Sequence, residues 1–185
     1  VLQDGRDKAR TRQPWLELAG GGQSFDQGDQ RRALPQLSLK LGTQKEGFLS
    51  SIVLHHGELS ESRGSDDYEF RQQGLGLDFG VQSRALRSVL WDLHLGADYM
   101  WATAERTPLP TGESAIDASE KADAEYRSVR LHLTPGVMWE LDPSYSFGLS
   151  TGLHRYLDLA RRDRSDLGAL PAYAVSMMIR LKTNF

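Results

Sequence analysis

Hydrophobic and polar residues alternate along most of this chain, and the alternation is clearest at its end. From Tyr173 the odd positions read Tyr173, Val175, Met177, Ile179, Leu181, Thr183, Phe185, while the even ones are small or polar. Period two over residues 172–185 is the signature of a β-strand. The same rhythm carries Val89, Trp91, Leu93, Leu95, Ala97, Tyr99 and Trp101, with Asp92, His94, Gly96 and Asp98 between them. It returns in Val129–Trp139 and in Tyr145–Leu153, and more weakly in Ala33–Leu41 and Leu75–Val81. Residues 14–22 and 47–56 complete the set in ambiguous phase. Eight strands are expected, and no helical period.

The connections alternate in length. Polar loops are expected at 22–32, 57–67, 104–126 and 158–170. Short turns are expected at 43–47, 83–87 and 141–144. All the long loops therefore fall on one rim of an up-and-down antiparallel sheet. An eight-stranded sheet of this kind closes into a barrel.

Two barrels fit the pattern, a soluble one with its apolar face inward and a transmembrane one with it outward. The aromatic residues discriminate. Following the chain up and down, Trp91, Trp139, Tyr145, Phe147, Phe79 and Phe185 fall near the short-turn rim. Tyr99, Trp101 and Tyr173 fall near the long-loop rim, with aliphatic residues between. Two girdles of amphipathic rings belong at the two membrane–water interfaces. The ten residues from Trp91 to Trp101 span roughly 33 Å at about 3.3 Å each. Tilted by about 40°, that is roughly the 25 Å apolar band of a membrane barrel. The other face carries Gly, Ser and Ala with single charges, which suits a lumen just wide enough for side chains. The expected fold is an all-β, eight-stranded antiparallel up-and-down transmembrane β-barrel over residues 14–185. Residues 1–13 are expected to form a periplasmic tail or linker stub.

Composition changes little in this picture. Mean hydropathy is −0.49 and 25% of the 185 residues are charged, but alternating strands hide a membrane face inside a polar average. A net charge of −3 argues against nucleic acid. With no cysteine, thiolate metal sites, disulfides and a cysteine nucleophile are excluded. The chain starts at Val1 with no signal-type apolar stretch, so it is expected to be a mature or excised form.

The chain resembles the small eight-stranded outer-membrane barrel proteins of Gram-negative bacteria. The motif that carries the resemblance is its end, Met178-Ile179-Arg180-Leu181-Lys182-Thr183-Asn184-Phe185, with a terminal Phe and apolar residues at alternate positions before it. The resemblance implies a cell outer-membrane location, contact with outer-membrane lipid and lipopolysaccharide, and recognition of the last strand by the outer-membrane assembly machinery through Phe185. It also admits lipid A-modifying enzymes, which use Ser and His on the outer face. Here most Ser residues have inward parity. Ser50 and His56 share an outward parity but lie six residues apart, too far to be partners on one strand.

No catalytic, cofactor or metal site is expected. His94, His132 and His154 share the inward parity and belong to a hydrogen-bonded filling. His55 and His56 lack the spacing and neighbours of a zinc site. Gly20-Gly21-Gly22 lacks the Lys-Ser/Thr and the helix start of a phosphate loop. The acids Glu105, Glu113, Asp117, Glu120, Asp123 and Glu125 make 104–126 an acidic, solvated loop, which could take cations or a basic partner. Pro135, on the lipid face, is expected to force a local bulge or distortion.

The expectation for the interior is a polar plug of Glu17, Asp98, Arg130, His132, Arg180 and Lys182. A symmetric loop between strands five and six places Asp98 opposite His132, with Arg130 a diagonal step away. Closure places Glu17 near Lys182 or Arg180. The expected function is that of a non-enzymatic outer-membrane barrel, a surface-loop binding protein or the membrane anchor of an envelope assembly, with a periplasmic or extracellular protein as a further partner. The alternatives are a lipid A-modifying enzyme and a narrow channel. Large inward residues such as Arg130, Met138, Met178 and Arg180 disfavour the channel.

Overall fold

A computed structural model describes residues 12–27, 30–63, 66–108, 122–163 and 172–185. Eight strands follow in chain order: β1 (Gln13–Gln27), β2 (Gln30–Lys45), β3 (Phe48–Arg63), β4 (Asp66–Leu86), β5 (Val89–Pro108), β6 (Ala122–Glu140), β7 (Tyr145–Asp163) and β8 (Tyr173–Asn184). Each pairs antiparallel with its neighbours in sequence, and β1 pairs with β8 from Trp15↔Asn184 to Phe25↔Ala174, closing the barrel. Closure satisfies the backbone groups that an open edge would leave bare in lipid. No described helix is long and apolar enough to cross a membrane.

The short-turn rim is tightly made. Glu46 and Gly47 join β2 to β3 with positive φ at both positions (51° and 84°), the twist a two-residue hairpin requires. Between β6 and β7, the Asp142 carboxylate accepts from the backbone N–H groups of Ser144 and Tyr145 at 2.6 and 2.9 Å. The terminal Phe185 donates its backbone N–H to the Pro14 carbonyl at 3.1 Å, tying the chain end to β1.

The opposite rim departs from expectation. Much of 22–32 and 57–67 is strand, not loop: β1 and β2 approach to within residues 28–29, and β3 and β4 to within 64–65. Likewise β5 continues to Pro108 and β6 starts at Ala122, so only 109–121 separates them. The reason is a reversal of phase. Within the lipid-facing band most apolar residues point out, but from the Trp101 girdle upward most point in, Leu157 and Leu159 excepted. There Phe25, Leu34, Met100, Tyr156 and Ala174 form a buried apolar cluster with Leu59 and Phe70 against it. A second cluster joins Ala102, Ala124 and Tyr126. Outside lipid a barrel obeys the rule of a soluble one. From Gln73, opposite Trp101, β4 rises to Asp66, about 23 Å further along the strand.

Of the two expectations for Pro135, the structure shows a local distortion and not a bulge. Its register with Leu93 is regular, and on the β7 side the pairing lapses at Thr134 and Pro135 and resumes unshifted at Gly136↔Ser150. A missing N–H interrupts the ladder locally without inserting a residue. The register shifts fall elsewhere, between Arg84 and Leu86 and beside Arg127/Ser128.

Candidate functional site: the sealed lumen and the lipid face

Charged residues sit where the sequence flanks them with outward-facing hydrophobes. Lys40 lies between Leu39 and Leu41, Asp78 between Leu77 and Phe79, Asp92 between Trp91 and Leu93. The apolar neighbours commit to lipid, so the pleat turns each charge into the lumen. Among the described residues the buried charges are Glu17, Asp78, Asp92 and Asp98 against Lys40, Arg130, Arg180 and Lys182. Acids and bases balance, as a low-dielectric interior demands.

All of them but Lys182 form one connected chain. At the short-turn end Arg180 donates to Glu17 and to Asp92, each at 2.7 Å. His94 links Asp92, at 3.8 Å, to Asp78, at 3.1 Å. Lys40 also meets Asp78, at 2.5 Å. His132 bridges Asp78, at 3.5 Å, to Asp98, at 3.0 Å. Arg130 then grips Asp98 through Nε and Nη2 at 2.9 and 2.8 Å. Higher still, Gln23 and Gln72 donate to the Tyr156 hydroxyl at 2.6 and 3.2 Å. The wall makes room by omission: a Cβ at Gly136 would meet Arg180 and Asp92, and one at Gly96 would meet the His132 ring at 2.5 Å.

Of the six expected interior residues, the structure brings Asp98, Arg130 and His132 together and pairs Glu17 with Arg180. The expected register is corrected. Asp98 faces Arg130 directly and His132 faces Gly96, two residues from the symmetric-loop alignment. A step of two keeps every side chain on its face, so hydrophobic patterning does not specify it. Glu17 is in register with Lys182, yet Lys182 meets no carboxylate among the described residues. It donates to Gln44 and Gln82 at 3.1 and 3.4 Å and lies 4.9 Å over the Trp15 ring. Sequence reasoning missed Lys40, Asp78, Asp92 and His55. His55 points inward to Asp98 at 3.4 Å, while His56 stays outside beside Glu58 at 3.7 Å. Alternation with Ile52 and Leu54 was the available signal for His55.

A cavity of about 40 Å³ remains among these groups, lined by His55, Arg130, His132, His154 and Ser176 among others. That is room for a few ordered waters, not for a substrate. His154 Nε2 and the Ser176 hydroxyl are 2.7 Å apart in its wall. This is the one described serine–histidine hydrogen bond, and the Nδ1 of His154 has no partner to orient it. The exposed His56 has no hydrogen bond to a hydroxyl among the described residues.

On the outer surface, Trp91, Trp139, Tyr145, Phe147 and Phe185 ring the short-turn side, and Tyr99, Trp101 and Tyr173 the other, all exposed. Trp139 stacks on Phe147 with centroids 6.1 Å apart, and Trp101 donates its indole N–H to Gln73 at 2.9 Å. Leu, Ile and Val fill the band between. Beyond the upper girdle Arg71 is flanked by Glu69 at 2.5 Å and Glu58 at 3.4 Å. Those carboxylates, Glu69 foremost, hold its guanidinium above its ordinary pKa. The acidic residues 109–121 lie outside the described residues, as does the tail over residues 1–11.

A closed barrel with an apolar outer band, two aromatic girdles and a polar, filled lumen is an eight-stranded transmembrane β-barrel of the outer-membrane class. No protein-family model matches the chain, and no curated protein matches it either. Solved structures share the fold at low identity. Neisserial surface protein A is 8% identical over 93% of this chain and 97% of its own, with a TM-score of 0.68. A major outer membrane protein of Thermus thermophilus is 10% identical over 95% and 100%, with a TM-score of 0.70. The attachment invasion locus protein Ail of Yersinia pestis, solved with the heparin analogue sucrose octasulfate, is 11% identical over 94% and 99%, with a TM-score of 0.58. The chain is an integral outer-membrane barrel.

Proposed function

We propose that this barrel is a non-enzymatic, non-conducting scaffold that holds a rigid binding rim outside the cell. The observation that carries the reading is the phase reversal above the Trp101 girdle. It extends the strands well past the bilayer on an apolar core of their own. A channel or lipid enzyme has no need of such a tower, whereas a binding surface gains from standing clear of the membrane. The balanced ionic chain across the lumen supports a sealed barrel. The only described Ser–His contact faces a cavity too small for an acyl chain, which disfavours lipid hydrolysis.

The rim carries Glu58, Glu69, Glu105 and Glu125, and the sequence adds Glu113, Asp117 and Glu120. A basic protein surface is the complementary partner. Ail was solved with a polyanion; this rim favours the opposite charge. A lysine-rich peptide should bind the nanodisc-embedded barrel, with affinity falling as salt rises. Changing Glu113, Asp117 and Glu120 to Gln should weaken that binding severalfold. Equal binding by this variant would remove the acidic rim as the partner site.

Planar-bilayer recording tests the seal. No reproducible current steps are expected in concentrated KCl, because the buried and mutually paired Arg180, Asp92, His94 and Asp78 fill the lumen at their crossing. Regular steps would establish a channel. Lipid A mass should be unchanged in cells making the protein, and a lost acyl chain or phosphate would reinstate the enzyme.

A further inference from the structure

The polar filling of the lumen is lopsided. Asp78, Asp92 and Asp98 come from β4 and β5, while Lys40, Arg130 and Arg180 come from β2, β6 and β8. The cavity of about 40 Å³ lies on the cationic side. Lys40, Arg130 and Arg180 line it together with the imidazoles of His55, His132 and His154. Glu17 is the one carboxylate in that lining among the described residues, and the three aspartates stand outside it.

This wall holds donors with nothing to meet. Arg130 and His154 are more than nine-tenths buried. Arg130 Nη1 and the Nδ1 atoms of His154 and His55 have no hydrogen-bond partner among the described residues. The ring of His154 is anchored through Nε2, 2.7 Å from the Ser176 hydroxyl. Buried donors are costly until an acceptor reaches them. A monatomic anion is hardly larger than a water molecule, so it fits a cavity of this size, and it answers the charge of the wall as water does not. The buried charges of the described lumen are four acids against four bases, so an anion entering alone would itself be uncompensated. A proton must come with it. His154 is the imidazole to carry that proton, because it meets no carboxylate among the described residues, whereas His55, His94 and His132 each face an aspartate.

We propose that the lumen binds one halide ion between Arg130 and His154, and takes up one proton with it. Arg130 donates from Nη1, and His154 receives the proton at Nδ1 and donates it to the ion, two charge-assisted contacts. The groups around His154 explain the coupling. Arg130 and His132 of β6, His55 of β3, Asp98 of β5 and Ser176 of β8 surround it, with Lys40 of β2 and Glu17 of β1 in the same cavity wall. Among so many cationic and imidazole groups a second positive charge is repelled unless an anion joins it, and the anion is repelled by nearby carboxylates unless the proton does. Each therefore favours the other, by the same factor. Arg180, Glu17 and Asp92 close the lumen at the lower end, so this is a binding site and not a path. It is independent of what meets the outer rim.

Crystals of the detergent-solubilised barrel soaked in sodium bromide test it. At pH 5 an anomalous peak is expected in the cavity, within hydrogen-bond distance of Arg130 and His154. At pH 8 the same soak should give none there, since uptake of one proton per anion lowers the apparent affinity about tenfold for each pH unit. In lipid vesicles at pH 5, sodium chloride should raise the urea midpoint above its value in sodium gluconate at equal ionic strength, because gluconate is too large for the cavity and only a bound ion stabilises the fold. His154→Gln, which keeps a polar partner for Ser176 but cannot carry the proton, should erase that difference. Heat-modifiable gel mobility checks that this variant folds, and the wild-type measurements decide the matter without it. No peak in the cavity at pH 5, bromide at surface positions only, an equally strong cavity peak at pH 8, equal midpoints in chloride and gluconate, or a chloride shift that survives in folded His154→Gln overturns the proposal.

Discussion

Arg180→Ala is expected to be the most damaging single substitution in the barrel. Arg180 is the sole described cation paired with Glu17, and it also holds Asp92, each at 2.7 Å in a nearly dry lumen. Its removal strands two carboxylates at once. Breaking a buried pair costs about 3–5 kcal/mol because the remaining charge is uncompensated. With two stranded, the loss should reach the upper part of that range. Urea unfolding in lipid vesicles would record it as a lower midpoint with an unchanged slope. The companion variant Arg180→Met/Glu17→Gln/Asp92→Asn removes the charges together and should recover most of the loss. A cost under about 1 kcal/mol for Arg180→Ala, the value of a solvated pair, would mean that water reaches this crossing and the seal fails.

The second large effect concerns Asp98, which serves three partners. Arg130 reaches it at 2.8 and 2.9 Å, His132 at 3.0 Å and His55 at 3.4 Å. Asp98→Ala should cost about 3–5 kcal/mol by leaving the Arg130 guanidinium buried alone. Arg130→Ala should cost a similar amount. The double variant should cost less than the sum, by about 0.5–3 kcal/mol, as contacting residues do. Strictly additive losses would show that the two do not interact. Asp98→Asn is a gentler probe, since it keeps the volume and one acceptor.

Faces were legible in the sequence because period two leaves a side chain only two places to point. Once Trp91, Leu93 and Leu95 face lipid, Asp92 and His94 must face the lumen, and the aromatic residues mark the depth at which each strand crosses the interfaces. Strand number, antiparallel order and the short turns follow from that alternation and from its breaks. Above the girdles the same alternation continues with its phase reversed, as the inward Phe70 between Glu69 and Arg71 shows. A reading that expects apolar residues to stay outside takes that reversal for a loop.

Register and partnership were decided by the tertiary structure. Asp98 with Arg130 opposite and Asp98 with His132 opposite have the same inward faces and the same lipid face, so local pattern and burial are indifferent between them. What separates them is how charges from six strands meet across the lumen. Asp78 is shared by Lys40, His94 and His132, and Arg180 reaches across to Asp92 past a glycine. Such contacts join residues far apart in sequence and form only when β1 closes on β8. Alternation along each strand thus determined which side chains enter the lumen. Closure alone determined which of them meet there, because the pairing energy depends on three-dimensional proximity that no single strand encodes.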